Sequence, residues 1–115
     1  MAQLTNLSQN KVFLKDLRIA DRLWSRMKGL LGTQELHSEQ GLWIHHCNSI
    51  HTFFMSYAID CVFVDAKLKI KALRKNVRPG QLVWPIRGAK SVIEMKAGQI
   101  EKLGLQIGDE LYVGH

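Results

Sequence analysis

The stretch "IDCVFV", residues 59–64, constrains the fold more than any other part of the sequence. Side chains along a β-strand point alternately to the two faces of a sheet. The two faces of this strand would carry the sets Ile59, Cys61, Phe63 and Asp60, Val62, Val64. Both sets are largely apolar, so we expect the strand to be covered on both sides.

Further short strands are predicted from runs rich in apolar and β-branched residues. These runs are "KVFLKDLRIA" (11–20), "GLWIHHC" (41–47), "KLKIKAL" (67–73), "QLVWPIR" (81–87), "SVIEMKAG" (91–98) and "QIGDELYV" (106–113). Tight turns are expected at "DAK" (65–67) and "RPGQ" (78–81). Short strands at this spacing predict a mainly β fold, a single compact sandwich or barrel.

One main α-helix is predicted near residues 21–31, in "DRLWSRMKGLLG". Asp21 can cap its amino end, and Leu23, Met27 and Leu30 recur at helical spacing. Gly32 suits the left-handed residue that ends a helix. A second, single helical turn is expected in "QIEKLGL" (99–105), ended by Gly104.

The length of 115 residues fits one domain. Residues 1–10 are polar and are expected to be loose, which leaves 11–115 as a single β-rich domain. A hydrophobic content of 46% supports a core, and two cysteines are too few for a disulfide framework. No apolar run approaches the ~18 residues of a membrane span, and the amino terminus lacks the pattern of a secretory signal. We therefore predict a cytoplasmic protein with reduced thiols.

The balance of 16 Lys and Arg against 10 Asp and Glu gives a net charge of +6. This charge favours anionic partners, namely nucleotides, nucleic acid, acidic lipids or acidic proteins, or serves solubility alone. Lys67, Lys69 and Lys71 would form a basic stripe on one strand face. No aromatic residues interleave the stripe and no nucleic-acid motif is present. The stripe either protects a sheet edge from aggregation or docks an acidic protein.

The segment "HHCNSIH", 45–51, concentrates histidine and cysteine. In a continuous strand Cys47 and His51 would lie roughly 13 Å apart, too far to share one metal ion. A turn at residues 48–49 could bring them together, as a metal site or as a thiolate–imidazole pair. No second ligand pair stands elsewhere, so we predict neither a metal nor a cofactor. His51 would lie at the rim of a pocket, on one face with Met55, or tie a loop to the backbone.

Two acidic residues stand among apolar neighbours. A buried carboxylate is costly unless it is paired, so Asp60 should meet Arg26, His51 or the backbone N–H groups of a turn. It would then either lock a loop or contribute to a site. Glu94 raises the same question, but it could also lie on a solvent-facing side of its strand.

Three ordered motifs resemble the domain-of-unknown-function 192 family, DUF192, across residues 12–113. They are an arginine before a Gly-Leu step, a Phe-Met step before an Ile-Asp-x-x-Phe-x-Asp strand, and Ala-x-x-Val-x-Glu followed by glycines and a Gly-Asp turn. The matching residues are Arg26, Gly29, Leu30, Phe54, Met55, Asp60, Phe63, Asp65, Ala89, Val92, Glu94, Gly98, Gly104, Gly108 and Asp109. The resemblance implies a β-sandwich or barrel of jelly-roll type and carries no established activity.

The sequence favours a small non-enzymatic binding module for a small anionic or polar ligand. Its cleft would be lined by His51, Thr52, Phe54 and Met55, with Arg26 and either Asp60 or Glu94 at the polar end. The first alternative is a hydrolase-like enzyme in which Asp60 orients His51 as a general base. The second alternative is an accessory protein that docks an acidic partner through its basic strand.

Overall fold

The computed structural model describes residues 2–20, 36–52 and 55–114. The helix expected near residues 21–31, which includes Arg26, lies outside these described residues, as does Phe54. The elements in the described ranges are β1 (Ala2–Asn6), β2 (Lys11–Ala20), β3 (Gln40–His45), β4 (Ile50–His51), β5 (Ile59–Val64), β6 (Ile70–Val77), β7 (Leu82–Val83), β8 (Ser91–Lys96), α1 (Gln99–Leu103) and β9 (Leu111–Gly114).

Seven strands form one sheet in the order β6-β5-β8-β3-β2-β1-β9, and β4 pairs with β7 in a separate two-stranded sheet. Neighbours in the large sheet are antiparallel except β2 and β3. The sheet curls so far that its two edges meet at one end. There the Ile70 N–H donates to the Asp109 carbonyl at 2.9 Å and the Leu111 N–H donates to the Leu68 carbonyl at 2.9 Å. The predicted mainly β class is confirmed, as a curled half-barrel.

The core divides into two clusters, one on each face of the large sheet. The first cluster includes Leu4, Leu14, Val62, Ile70, Ile93, Met95 and Leu111. It joins residues from both sheet edges, so it lies on the concave side. The second cluster includes Ile44, Ile50, Ile59, Cys61, Phe63, Val83 and Val92, and the small β4–β7 sheet covers it. All six residues of β5 are buried, which confirms that this strand is covered on both faces.

The amino terminus forms β1 and is integrated into the sheet rather than loose. Leu4 is fully buried in the first cluster, and β1 pairs with β2 on one side and β9 on the other. The Asn6 side-chain amide also donates to Asp109 Oδ2 at 2.9 Å. One buried leucine and two rows of backbone hydrogen bonds outweigh the polar composition that suggested a loose segment.

The predicted turn at residues 65–67 joins β5 to β6 and extends to Lys69. Asp65 Oδ1 accepts the backbone N–H groups of Lys67 and Lys69, each at 2.9 Å. Burial alone would raise the pKa of the Asp65 carboxyl, but these two hydrogen bonds and the charges of Lys71 and Lys69 lower it below its ordinary value of 3.8. The ionised carboxylate therefore stabilises the hairpin.

Asp65→Asn should lower the free energy of unfolding near neutral pH by up to about 1 kcal/mol, because asparagine keeps an acceptor but loses the charge. Because the pKa of Asp65 is lower in the folded than in the unfolded protein, the ionised carboxylate stabilises the fold at pH values above the unfolded-state pKa. This stabilisation is lost as the pH falls through the folded-state pKa. The difference between wild type and variant should therefore shrink as the pH falls below 3.8. Urea denaturation of both proteins across this pH range measures it, and a difference independent of pH would contradict the assignment.

Of two other local predictions, the helical turn is confirmed and the strand is shorter than expected. The helical turn expected in "QIEKLGL" is α1, and Gly104 ends it in the left-handed conformation with φ of 65°. The strand expected over residues 81–87 is reduced to β7, the two residues Leu82–Val83. Within the described residues, no helix is long and apolar enough to cross a membrane.

Candidate functional site

Asp60 is completely buried, and both of its carboxylate oxygens accept backbone hydrogen bonds. Oδ1 accepts the Asn76 N–H at 2.8 Å, and Oδ2 accepts those of Gly98 and Ile100 at 3.0 and 2.9 Å. Gly98 is the N-cap of α1, and Asn76 has a positive φ of 51° in β6. The carboxylate thus caps α1 from a neighbouring strand and fixes an irregular point of β6. Asp60 meets backbone N–H groups, one of the partners expected from the sequence, and fixes the start of α1 and one point of β6.

The strand register places Asp60 and Glu94 on opposite faces of the sheet. Asp60 pairs with Met95, a member of the first cluster, whereas Glu94 pairs with Cys61, a member of the second. His51 belongs to β4, which packs over the second cluster through Ile50. The structure therefore brings Asp60 together with neither Glu94 nor His51, since the sheet lies between them.

Glu94 is fully buried, so the expectation that it could lie on a solvent-facing side is wrong. Its strand β8 lies inside the sheet between β3 and β5, and Leu42 and Cys61 are its cross-strand neighbours. Both faces of β8 are covered, which leaves no wet side. A carboxylate thus lies within an otherwise largely apolar face.

Thr52 connects β4 to the turn at residues 78–81 through hydrogen bonds. Its hydroxyl donates to the Arg78 carbonyl and accepts the Gln81 N–H at 2.9 Å, and its own N–H donates to the Gln81 carbonyl at 2.9 Å. The side chain is completely buried. Its hydroxyl is therefore already engaged by the backbone.

His51 and Met55 do not share one strand face. β4 ends at His51, and the Met55 N–H donates to the Thr52 carbonyl at 3.2 Å, so Met55 is not part of that strand. His51 pairs with Leu82 and lies on the side of the small sheet opposite Ile50. Met55 packs against the second cluster. Arg26 and Phe54, the other two predicted cleft residues, lie outside the described residues.

The histidine–cysteine segment is not a continuous strand, and it leaves the strand direction at His46, two residues before the turn expected at residues 48–49. β3 ends at His45, and His46 adopts a positive φ of 53°. The Cys47 N–H then donates to the Lys90 carbonyl at 3.0 Å, and the Cys47 thiol lies 2.7 Å from the Ser49 carbonyl oxygen. In the described ranges, no group of three or more His, Cys, Asp or Glu side chains is placed to hold a metal ion.

The predicted basic stripe is only partly a strand. β6 begins at Ile70 and is an edge strand, while Lys67 lies in the preceding turn and Lys69 contributes only an isolated bridge. Lys69 Nζ lies 3.9 Å from Glu110, and Lys71 Nζ lies 3.9 Å from Asp65. The edge position fits protection against aggregation. Docking of an acidic protein stays a prediction.

A cavity of about 160 Å³ lies beside the β5–β6 hairpin. Its lining residues are Trp43, His45, His46, Asp65, Ala66, Leu68, Lys90 and Ser91. Sequence reasoning missed Trp43, Leu68 and Lys90 as cavity residues. No local signal marks them, because they come from β3, the hairpin and the residue before β8, and only the strand order brings these together.

Comparison with known proteins gives a consistent family. The family model described as DUF192, Uncharacterized ACR, matches residues 4–113. A UPF0127 protein of Thermococcus sibiricus is 35% identical over 116 residues, covering 94% of this chain and 72% of that protein. A UPF0127 protein of Pyrococcus furiosus is 29% identical, covering 94% and 95%.

Two solved structures share the fold. One is a protein of unknown function from Novosphingobium aromaticivorans, with a TM-score of 0.77 and 21% identity, covering 96% of this chain and 82% of that one. The other is described as a putative transcription regulator from Sinorhizobium meliloti, with a TM-score of 0.77 and 19% identity, covering 97% and 91%. At these identities the likeness extends to the fold alone.

Proposed function

Since the chain belongs to the DUF192 family, which is described as uncharacterized, we propose from its own residues a non-enzymatic binding module for a small anionic or polar ligand. The cleft lies on the face of the second cluster. Glu94 forms its polar end together with Arg26. Phe54 and Met55 contribute to its walls and His51 to its outer rim, whereas Thr52 supports it through the backbone.

The burial of Glu94 carries this proposal. A carboxylate placed among apolar neighbours in the middle of a sheet costs several kcal/mol unless a cation or hydrogen-bond donors accompany it. Buried ionisable groups cluster at functional sites, although structural ion pairs bury them too. Leu42 and Cys61, the cross-strand neighbours of Glu94, supply no cation. The predicted cation is Arg26, whose planar guanidinium can hold Glu94 with one edge and a ligand anion with the other.

Further polar atoms on the face of the second cluster support the proposed cleft. Tyr57 and Cys47 both pack against the second cluster, and the Tyr57 hydroxyl oxygen is buried. Met55, an adaptable apolar side chain, packs beside them. A mostly apolar wall with a few polar groups is the usual composition of a small-molecule site.

Asp60 has no part in this site, which also weakens the hydrolase-like alternative. Its two oxygens accept three backbone N–H groups on the concave side of the sheet. A carboxylate held in this way cannot also orient the imidazole of His51. The binding module therefore needs only Glu94 as its acidic residue.

Arg26→Gln should weaken the binding of inorganic phosphate or acetate about tenfold or more, because a hydrogen bond to a charged group contributes about 1.5–3 kcal/mol. The matched control is Arg18→Gln, which changes an exposed arginine on β2. Titration calorimetry on the full chain measures the affinity, and urea denaturation shows that each variant is folded. Equal affinities of the two variants, or no binding of either anion to the wild type, would refute the proposal.

A further inference from the structure

The cavity beside the β5–β6 hairpin has one apolar wall and one cationic rim. Trp43 and Leu68 both pack against the first cluster, and the cavity extends this cluster to the surface. The Trp43 indole N–H donates to Ser91 Oγ at 2.9 Å, which fixes the plane of the indole. The His45 ring lies 4.1 Å from the Trp43 ring, centroid to centroid, with 67° between the planes. The wall is thus rigid and largely aromatic.

Lys90 supplies the charge at the rim. Its N–H donates to the Val64 carbonyl at 2.7 Å and its carbonyl accepts the Cys47 N–H at 3.0 Å, so its backbone is held on both sides. The side chain makes no ion pair within the described parts of the chain and is exposed. A fixed backbone and an unpaired ammonium group suit the capture of an anion entering from solvent.

The acidic side chain of the cavity does not oppose this charge. Asp65 Oδ1 accepts the two N–H groups of its own hairpin, and Oδ2 lies 3.9 Å from Lys71 Nζ. The Asp65 carboxylate is therefore already compensated from within the hairpin. It would still repel a dianion more strongly than a monoanion, which favours a carboxylate over a phosphate.

We propose that this cavity binds a single-ring aromatic carboxylate, with the ring against Trp43 and Leu68 and the carboxylate at Lys90. The cavity is open to solvent and its volume of about 160 Å³ leaves room for one ring, since benzene occupies an enclosed cavity of about 150 Å³. Aromatic rings packed edge to face add attraction beyond their buried area. The inference does not rest on the proposed function, because this site lies on the concave side and shares none of its residues.

Sodium benzoate is the probe, titrated into the full chain labelled with ¹⁵N. We expect saturable shifts of the Trp43 indole N–H and of the backbone N–H groups of His46 and Lys90. Benzamide, which has the ring without the charge, should bind about tenfold more weakly or worse, because a charged hydrogen bond is lost. Cyclohexanecarboxylate, which has the charge without the aromatic ring, should also bind more weakly.

Lys90→Gln should weaken benzoate binding about tenfold. Lys96→Gln is the matched control, since Lys96 is an exposed lysine at the far end of β8, the strand that begins directly after Lys90. The proposal would be overturned if the cavity resonances did not shift at benzoate concentrations up to about 10 mM, since binding too weak to be seen there would be negligible. Equal binding of benzamide or cyclohexanecarboxylate would also overturn it. So would equal benzoate affinities of the two lysine variants.

Discussion

Asp60→Asn will lower the free energy of unfolding by about 3 kcal/mol, because the carboxylate accepts three buried backbone N–H groups and each such bond to a charged group contributes about 1.5–3 kcal/mol. Asparagine has one acceptor oxygen and turns an N–H₂ donor toward the remaining backbone donors. It can serve either Asn76 or the pair Gly98 and Ile100, but not both sets. Urea denaturation followed by tryptophan fluorescence measures the loss.

Asp16→Asn is the matched control for this variant. Asp16 is a half-buried residue on β2, and its side chain makes no hydrogen bond or ion pair in the described ranges, so its substitution should cost under about 0.5 kcal/mol. Amide hydrogen exchange provides a local readout. The N–H groups of Gly98 and Ile100 should exchange faster in Asp60→Asn, while that of Val62 should follow the global stability. A loss below about 1 kcal/mol would show that the carboxylate does not hold α1.

Gly41→Ala will lower the free energy of unfolding by about 2 kcal/mol, the middle of the range for overpacking a core. A Cβ atom at this position of β3 would lie 2.5 Å from Leu14 Cδ1 and 3.3 Å from the Glu94 backbone oxygen. Leu14 is fully buried in the first cluster, so its side chain has little room to move away. Thermal and urea denaturation measure the effect.

A second substitution tests whether Leu14 causes this loss. Leu14→Ala opens space beside Gly41, so the double variant should be more stable than the sum of the single losses predicts, by about 1 kcal/mol. Gly114→Ala is the matched control. The nearest atom to its Cβ is Tyr112 Cε2 at 2.9 Å, but the Tyr112 side chain is 56% exposed and can move. Additive losses in the Gly41 and Leu14 pair would exclude the steric explanation.

Membership of the family and the likeness to solved structures establish the fold but assign no chemistry. The two proposed sites are separable because they lie on opposite faces of one sheet. Glu94 and Met55 belong with the second cluster, whereas Trp43 packs against the first and Lys90 lines the same cavity as Trp43. Asp60 belongs to neither site, and its effect is expected on stability alone.

Much of the fold could be predicted from local pattern. The two apolar faces of residues 59–64 predict a central covered strand, and β5 is one. The turn at residues 65–67 and the helical stop at Gly104 are also local, because they depend on the conformational preferences of a few consecutive residues. The loose amino terminus was the exception, since the burial of Leu4 depends on partners more than a hundred residues away in β9.

The candidate site was predictable only in part, because alternation fixes the faces of one strand but not its register against the next. A shift of one residue in the pairing of β5 with β8 would place Glu94 on the same face as Asp60. The sequence therefore identifies both carboxylates as unusual, but it cannot show that they lie on opposite faces of the sheet.

The sequence by itself determined that the chain is mainly β, that residues 59–64 form a strand covered on both faces, and that Asp60 must be hydrogen-bonded. These conclusions follow from side-chain direction and desolvation, which act on each residue where it stands. The tertiary structure decided that Asp60 caps α1, that Glu94 lies on the other face, and that Trp43 and Lys90 border one cavity. Strand order and register join segments far apart in the chain, and no local preference encodes which segments will meet.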